Sequence, residues 1–322
     1  MDGNEARPRG ITDLPWQRAF RTEGEKARTR WRFGAGDASA VLAGILWGVN
    51  YPVTKWVLQS IPEGQFLVLR FGAAACVFAL LLTLREQKTP RPKMRSLLVL
   101  GLLGVGVYNI LFTMGIHRTS ASTAALIIST SPLITGVWCA LTGREPFAKR
   151  RCVGTLTAFA GVILVLVSSR GGFSFAQGYL AGNALIACGA FLFALYAVLA
   201  RPLLEIHSPV CVTSLVMIVG SVVLLPFGLW LTPPSLWVRP SAGALFGMGY
   251  IVLFGTVAAF TLWYRGVRDI GPVGTVLYHF VTPTVSMVVA PVLLGDATGG
   301  GKIVGAAFVL AGLLVARQSR SR

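Results

Sequence analysis

The chain repeats itself. A shift of 151 residues carries Pro132 onto Pro283, Val153 onto Val304, Gly154 onto Gly305 and Gly161 onto Gly312, and sets Glu145 opposite Asp296. The register continues upstream, where Gly104 falls on Gly255 and Gly115 on Gly266. Whatever fold residues 38–168 adopt should therefore serve again for residues 178–316, with residues 1–37 and 317–322 left as tails.

Which folds qualify depends on the medium. Of 322 residues, 54% are hydrophobic and 13% charged, more apolar surface than a water-soluble core of this size requires. A spanning helix takes about 20 largely apolar residues. Such runs occupy roughly 39–58, 65–84, 96–115, 121–141, 152–168, 179–200, 210–231, 242–264, 273–294 and 302–316. Hydrocarbon offers a backbone amide no partner, so each run must pair its own amides and fold as a helix. The expected architecture is all-α and integral to the membrane: ten transmembrane helices in two five-helix units. An odd number of spans per unit starts the second copy on the opposite face from the first, which makes the repeats inverted.

Charge orients the chain. The arginines and lysines of the amino-terminal tail share one side with Arg85, Lys88, Arg91, Lys93 and Arg95, with Arg144, Lys149, Arg150 and Arg151, and with Arg201, Arg265, Arg268, Arg317, Arg320 and Arg322. The other side receives Arg118, Arg170, Arg239 and Lys302. By the positive-inside rule both termini are cytoplasmic. A net charge of +17 would point to nucleic acid in a soluble protein, but here the basic residues follow the alternation of loops. The partner they imply is anionic inner-leaflet lipid, not nucleic acid. The amino-terminal tail lacks the apolar core of a cleavable signal peptide, so the first helix is expected to remain as an anchor.

Polar residues inside the runs mark candidate functional positions. In the first helix, Pro52 cannot bond to the carbonyl of Gly48, and Asn50 sits beside the break with Trp47 one turn earlier. An opened carbonyl beside an amide suits a polar solute; the alternative is a packing kink. Lys55 is expected to snorkel to the outer surface. Arg70 in the second helix has no acidic residue in any expected span and must find carbonyls, lipid phosphate, water or a solute. Gly101, Gly104 and Gly106 in the third helix allow close backbone approach, and Tyr108 and Asn109 beside them are expected to face the interior.

Pro132 and Pro283 release the carbonyls of Ile128 and His279 in matching places of the two halves. Broken helices at matched positions point to the central site of a transporter. This brings in Ser129 on one side and Tyr278, His279 and Thr282 on the other. His279 either couples protons by titrating near neutrality or sits neutral against a neighbouring backbone. Tyr196, Thr256 and Trp263 add polar and aromatic wall for a partly apolar solute, or else serve as core.

Other patterns fail. Gly295 to Lys302 imitates a phosphate loop, but the glycine spacing is one residue too long and Ile303 stands where Ser or Thr is required. The five cysteines show no CxxC spacing. No metal cluster or catalytic triad is visible, so no cofactor and no catalytic residue is expected.

Taken together, Trp47-Gly48-Val49-Asn50-Tyr51 with Lys55, Pro62 before Leu69-Arg70-Phe71, Ser131-Pro132 with Gly143 and Glu145, and the paired glycines resemble the drug/metabolite transporter superfamily in its ten-helix EamA branch. The resemblance spans about Ala38 to Ala316. It implies a bacterial inner-membrane exporter of amino acids or related metabolites, working by alternating access around a central cavity. Asp296 replaces the usual glutamate and Phe193-Ala194 replaces Trp-Gly, so local roles there need not carry over. A nucleotide-sugar or phosphate-ester carrier would need a basic cluster, and Arg70 stands alone. A drug carrier of the small multidrug type would need a membrane-embedded carboxylate. A membrane enzyme or non-transporting receptor remains as the reading from another class.

Overall fold

A computed structural model describes residues 33–84, 93–119, 121–143, 149–167, 177–294 and 300–318. The expectations attached to residues 1–32, to Arg144 with Glu145, and to Asp296 lie outside these. Every regular element among the described residues is helical: α1 (Ala35–Val57), α2 (Glu63–Thr83), α3 (Met94–Arg118), α4 (Ala121–Ile128), α5 (Ser131–Leu141), α6 (Lys149–Val167), α7 (Gln177–Ile206), α8 (Pro209–Leu231), α9 (Ala242–Ile270), α10 (Pro272–Leu294) and α11 (Gly300–Gln318).

Six of them, α2, α3, α7, α8, α9 and α10, are long and apolar enough to cross a membrane. Helix α1 matches them in length, but Asp37, Asn50 and Lys55 lower its mean hydropathy. The outer faces suit lipid: Phe246 and Val292 are each 84% exposed and Leu141 81%, apolar surface that water would not tolerate at this density.

Local chemistry sets the ends. The Asp37 carboxylate accepts from the Gly34 amide at 3.1 Å, closing the first turn of α1. Ser208 and Ser241 do the same for α8 and α9, accepting from the amides of Cys211 and Ala244. Between α9 and α10 the chain reverses at Gly271, whose φ of 78° suits glycine, and Pro272 opens the next helix.

The helices pack so that each half grips the other. Helix α6 lies on α11: a Cβ on Gly154 would meet the Gly312 carbonyl at 2.6 Å, and one on Gly161 would meet the Gly305 carbonyl at 2.6 Å. Rising contacts on one helix meet falling positions on the other, so the two run antiparallel. Helices α2 and α8 do likewise, pairing Gly64 with Gly228 and the Phe71 carbonyl with the Ser221 hydroxyl at 3.2 Å. Contacts between the halves are also reciprocal. Helix α1 packs on α9 and α10, and α7 packs on α3, α4 and α5.

The reciprocity reaches single bonds. Thr282 donates to the Gly44 carbonyl at 3.2 Å, and Ser131, its mate at the 151-residue shift, donates to the Ala190 carbonyl at 3.4 Å. Two eight-residue π-helical stretches, Leu100–Val107 in α3 and Ile251–Ala258 in α9, begin 151 residues apart. Each carries a glycine against which the other half presses: Gly104 meets the ring of Tyr196, and Gly255 meets the amide of Asn50. Short π segments of this kind widen a helix and concentrate at functional places.

The two proline breaks also match. The chain leaves the helix between α4 and α5 before Ser131, and α10 tightens into a 3₁₀ turn over Leu277–Phe280. At the first break the carbonyl of Ile128 is not left for a solute, because the Ser131 hydroxyl donates to it at 2.6 Å.

Ionic clusters sit near both ends of the bundle. Where α1 begins and α11 finishes, Asp37 pairs with Arg317 and accepts from the Tyr278 hydroxyl at 2.7 Å, with the guanidinium 5.3 Å from the Tyr278 ring. Asp37 and Arg317, read from sequence as tail residues, are thus buried helical residues. At the opposite end Glu63 meets His117 at 2.5 Å and Arg118 at 2.7 Å. Lys55 does not snorkel free; its ammonium donates to the carbonyls of Ile116, His117 and Thr119 at 2.7–3.0 Å, capping the end of α3.

Candidate functional site

A cavity of about 20 Å³, room for one or two water molecules, lies within the bundle. Its wall comes from both halves: Trp47, Asn50 and Tyr51 of α1, Arg70 of α2, Tyr108, Asn109 and Phe112 of α3, Phe260 of α9, and His279 and Thr282 of α10. Trp47, Asn50, Arg70, Tyr108, Asn109, His279 and Thr282 were expected from sequence at a common site, and the fold brings these seven together.

The local reasons differ. Asn109 is held by donating to the carbonyl of Val105 at 2.8 Å. Trp47 donates its indole N–H to the Gly255 carbonyl at 3.0 Å, which ties α1 to the π segment of α9. The Asn50 side-chain oxygen is buried against Gly255 with no hydrogen-bond partner in the protein.

His279 sits in an aromatic cage. Its ring centroid lies 4.6 Å from Phe193, 4.7 Å from Trp263 and 5.2 Å from Trp47. Neither ring nitrogen has a hydrogen-bond partner in the protein. Trp263 therefore serves the site through His279 and Trp47 instead of facing the cavity. Thr256 also stands one step back, accepting from Arg70 Nε at 3.0 Å while donating to the Ile251 carbonyl at 2.9 Å across the wide π turn.

The remaining expected residues lie elsewhere. Tyr196 packs against Gly104, Phe193 and Tyr264. Ser129 turns back on its own helix, donating to the Ala125 carbonyl at 2.8 Å. Tyr278 belongs to the Asp37–Arg317 cluster. Tyr51, Phe112 and Phe260 complete the wall. Helical spacing was the available signal for the two phenylalanines: Phe112 follows Tyr108 by four residues, and Phe260 follows Thr256 by four.

Chemically the wall offers one guanidinium, two amides, hydroxyls, an imidazole and aromatic faces. Among the described residues it contains no carboxylate. Such a set can bind and orient a small solute, and it places no nucleophile against a base.

Fold and site together define a multi-pass, all-helical membrane protein with a cavity lined by polar and aromatic side chains at the junction of two related halves. The chain belongs to the EamA-like transporter family, which it matches over residues 34–167 and again over 180–318. It is a membrane transporter of that family. It is 26% identical over 275 residues to an uncharacterized transporter, YyaM, of Bacillus subtilis (strain 168), covering 84% of this chain and 90% of that one. It is 29% identical to the uncharacterized inner membrane transporter YedA of Escherichia coli (strain K12), covering 84% and 85%. Protein PecM of Dickeya dadantii (strain 3937) is 24% identical, covering 86% and 90%. A solved crystal structure aligns with a TM-score of 0.69 at 21% identity, covering 87% of this chain and 96% of that one, which shows the fold alone.

Proposed function

We propose that this protein is a secondary transporter that exports amino acids or related small metabolites across a bacterial inner membrane, both termini being cytoplasmic. Ten spans form two inverted five-helix units, and transport proceeds by alternating access. The observation that carries this reading is the reciprocal, antiparallel gripping of the halves around a cavity lined from both of them. Inverted repeats can exchange between two near-equivalent arrangements about one site.

Cavity size fits the same scheme. Drug-sized ligands occupy pockets of roughly 300–1,000 Å³, far more than the present about 20 Å³. A metabolite enters only if helices part, and the cluster at each end gives that parting a place to happen. Amide, hydroxyl and aromatic surface suits a solute with a polar head and an apolar side chain. A wall with Arg70 as its sole fixed cation speaks against a nucleotide sugar or phosphate ester, and a wall without a carboxylate speaks against a cationic drug.

One feature favours proton coupling: the unpartnered nitrogens of His279 at the cavity wall. The test is flux in reconstituted vesicles loaded with labelled amino acids, with and without an imposed pH gradient. Protein-dependent efflux is expected, and the gradient should drive the wild type but not His279→Ala. No flux across a broad panel would reject the substrate class; equal gradient drive in both proteins would remove the histidine from coupling.

A further inference from the structure

Arg70 is 2% exposed and forms part of the cavity wall. Nε is engaged by the Thr256 hydroxyl, and the planar group lies 4.9 Å from the Phe71 ring and 5.9 Å from that of Phe66. Nη1, equally buried, has no hydrogen-bond partner in the protein. A buried cation normally has an anion beside it, because leaving water without one is costly.

Among the described residues every acid is engaged elsewhere. Asp37 pairs with Arg317, Glu63 with His117 and Arg118, Glu205 with Arg201, and Asp269 with Arg265 and Arg268. Four ion clusters are satisfied, and the one charge at the cavity is not. Thr256 fixes the guanidinium from behind and the two rings cover its face, so it is already aimed and loses little freedom when an anion arrives.

We propose that the solute supplies the missing counter-ion: a single carboxylate binds Arg70 at Nη1, so the cavity selects monoanionic and zwitterionic solutes and rejects those carrying only positive charge. This rests on the transport reading above and narrows its substrate class. One fixed cation matches one negative charge; a phosphate monoester, nearer two, leaves an excess buried. The apolar remainder of the solute faces Trp47, Phe112 and Phe260.

The test uses probes that differ only in the head group. Purified full-length protein is titrated calorimetrically with L-phenylalanine, 3-phenylpropionate, 3-phenylpropionamide, phenethylamine and 2-phenylethyl phosphate, and vesicle flux is measured for the same compounds. The two carboxylates should bind about tenfold or more tightly than the amide, the amine and the phosphate, as a charge-assisted bond implies. Arg70→Gln should erase that preference while Arg70→Lys retains part of it. The compound series on the wild-type protein decides the matter even if a variant misfolds. Binding of the carboxylates without flux supports the Arg70 site and sinks the transport reading. Flux or binding that ignores the carboxylate, or none with either carboxylate, overturns the Arg70 site, and the broad flux panel judges transport separately.

Discussion

Gly104 and Gly255 show what a single missing Cβ permits. A methyl group on Gly104 would fall 1.8 Å from the Tyr196 ring, and one on Gly255 would fall 2.2 Å from the Asn50 side chain. Each glycine lets an arm of the opposite half reach into a π-widened turn. Gly104→Ala should therefore destabilise by about 1–3 kcal/mol, the usual cost of overpacking, read as a lower melting temperature in detergent. Combined with Tyr196→Ala, the loss should fall well short of the sum, since the smaller ring-free side chain relieves the clash. Gly136→Ala, whose added Cβ meets nothing within 4 Å, should leave melting unchanged or slightly raise it. Additive losses at 104 and 196 would show that the two residues do not share a contact. The glycines were legible in the sequence because duplication aligned them. Their partners were not, because Tyr196 lies 92 residues from Gly104 and no local pattern encodes which side chain fills a groove.

Helix ends are where the chain departs most from its hydropathy. Apolar windows stop at the first charge, so Asp37 and Arg317 read as tail, yet α1 starts at Ala35 and α11 continues to Gln318 with both charges buried. The rule that charge marks solvent fails when two opposite charges from distant positions neutralise each other. The same limit hid the fate of Lys55, since three carbonyls at the end of α3 are invisible to a one-dimensional pattern. Proline was a better guide: both breaks fall where Pro132 and Pro283 place them, although the Ser131 hydroxyl takes up the carbonyl that the first break frees. Because Asp37 and Arg317 are 2% and 3% exposed, removing the carboxylate takes a neighbouring anion from a buried guanidinium. Asp37→Asn should cost about 3–5 kcal/mol of stability, seen as a sharp drop in melting temperature. Adding Arg317→Gln to that variant should recover much of the loss. A double variant as unstable as the sum of its singles would mean that the pair contributes through something other than mutual neutralisation.

At the scale of the molecule, the duplication and apolar spacing carried most of the architecture, and the polar stretch around Asn50 led to the cavity. They could not fix how the halves sit together, because the sign of a repeat's orientation depends on the number of crossings, and α1, α5 and α11 are short or polar enough to leave that number open to hydropathy alone. The antiparallel contacts of α2 with α8 and of α6 with α11 support inversion. Labelling from one side of the membrane provides a direct check. Gln59 in the turn after α1 and Ile206 at the end of α7 occupy corresponding places in the two halves, and both are exposed. In a background with its native cysteines replaced, Gln59→Cys should react with a membrane-impermeant thiol reagent added to intact cells. Ile206→Cys should react only after permeabilisation, because inversion puts the second turn on the cytoplasmic side, where Arg201 adds to the positive charge. If both cysteines label from outside, the copies run the same way, the reciprocal contacts lose their symmetry reading, and exchange of the halves no longer explains transport.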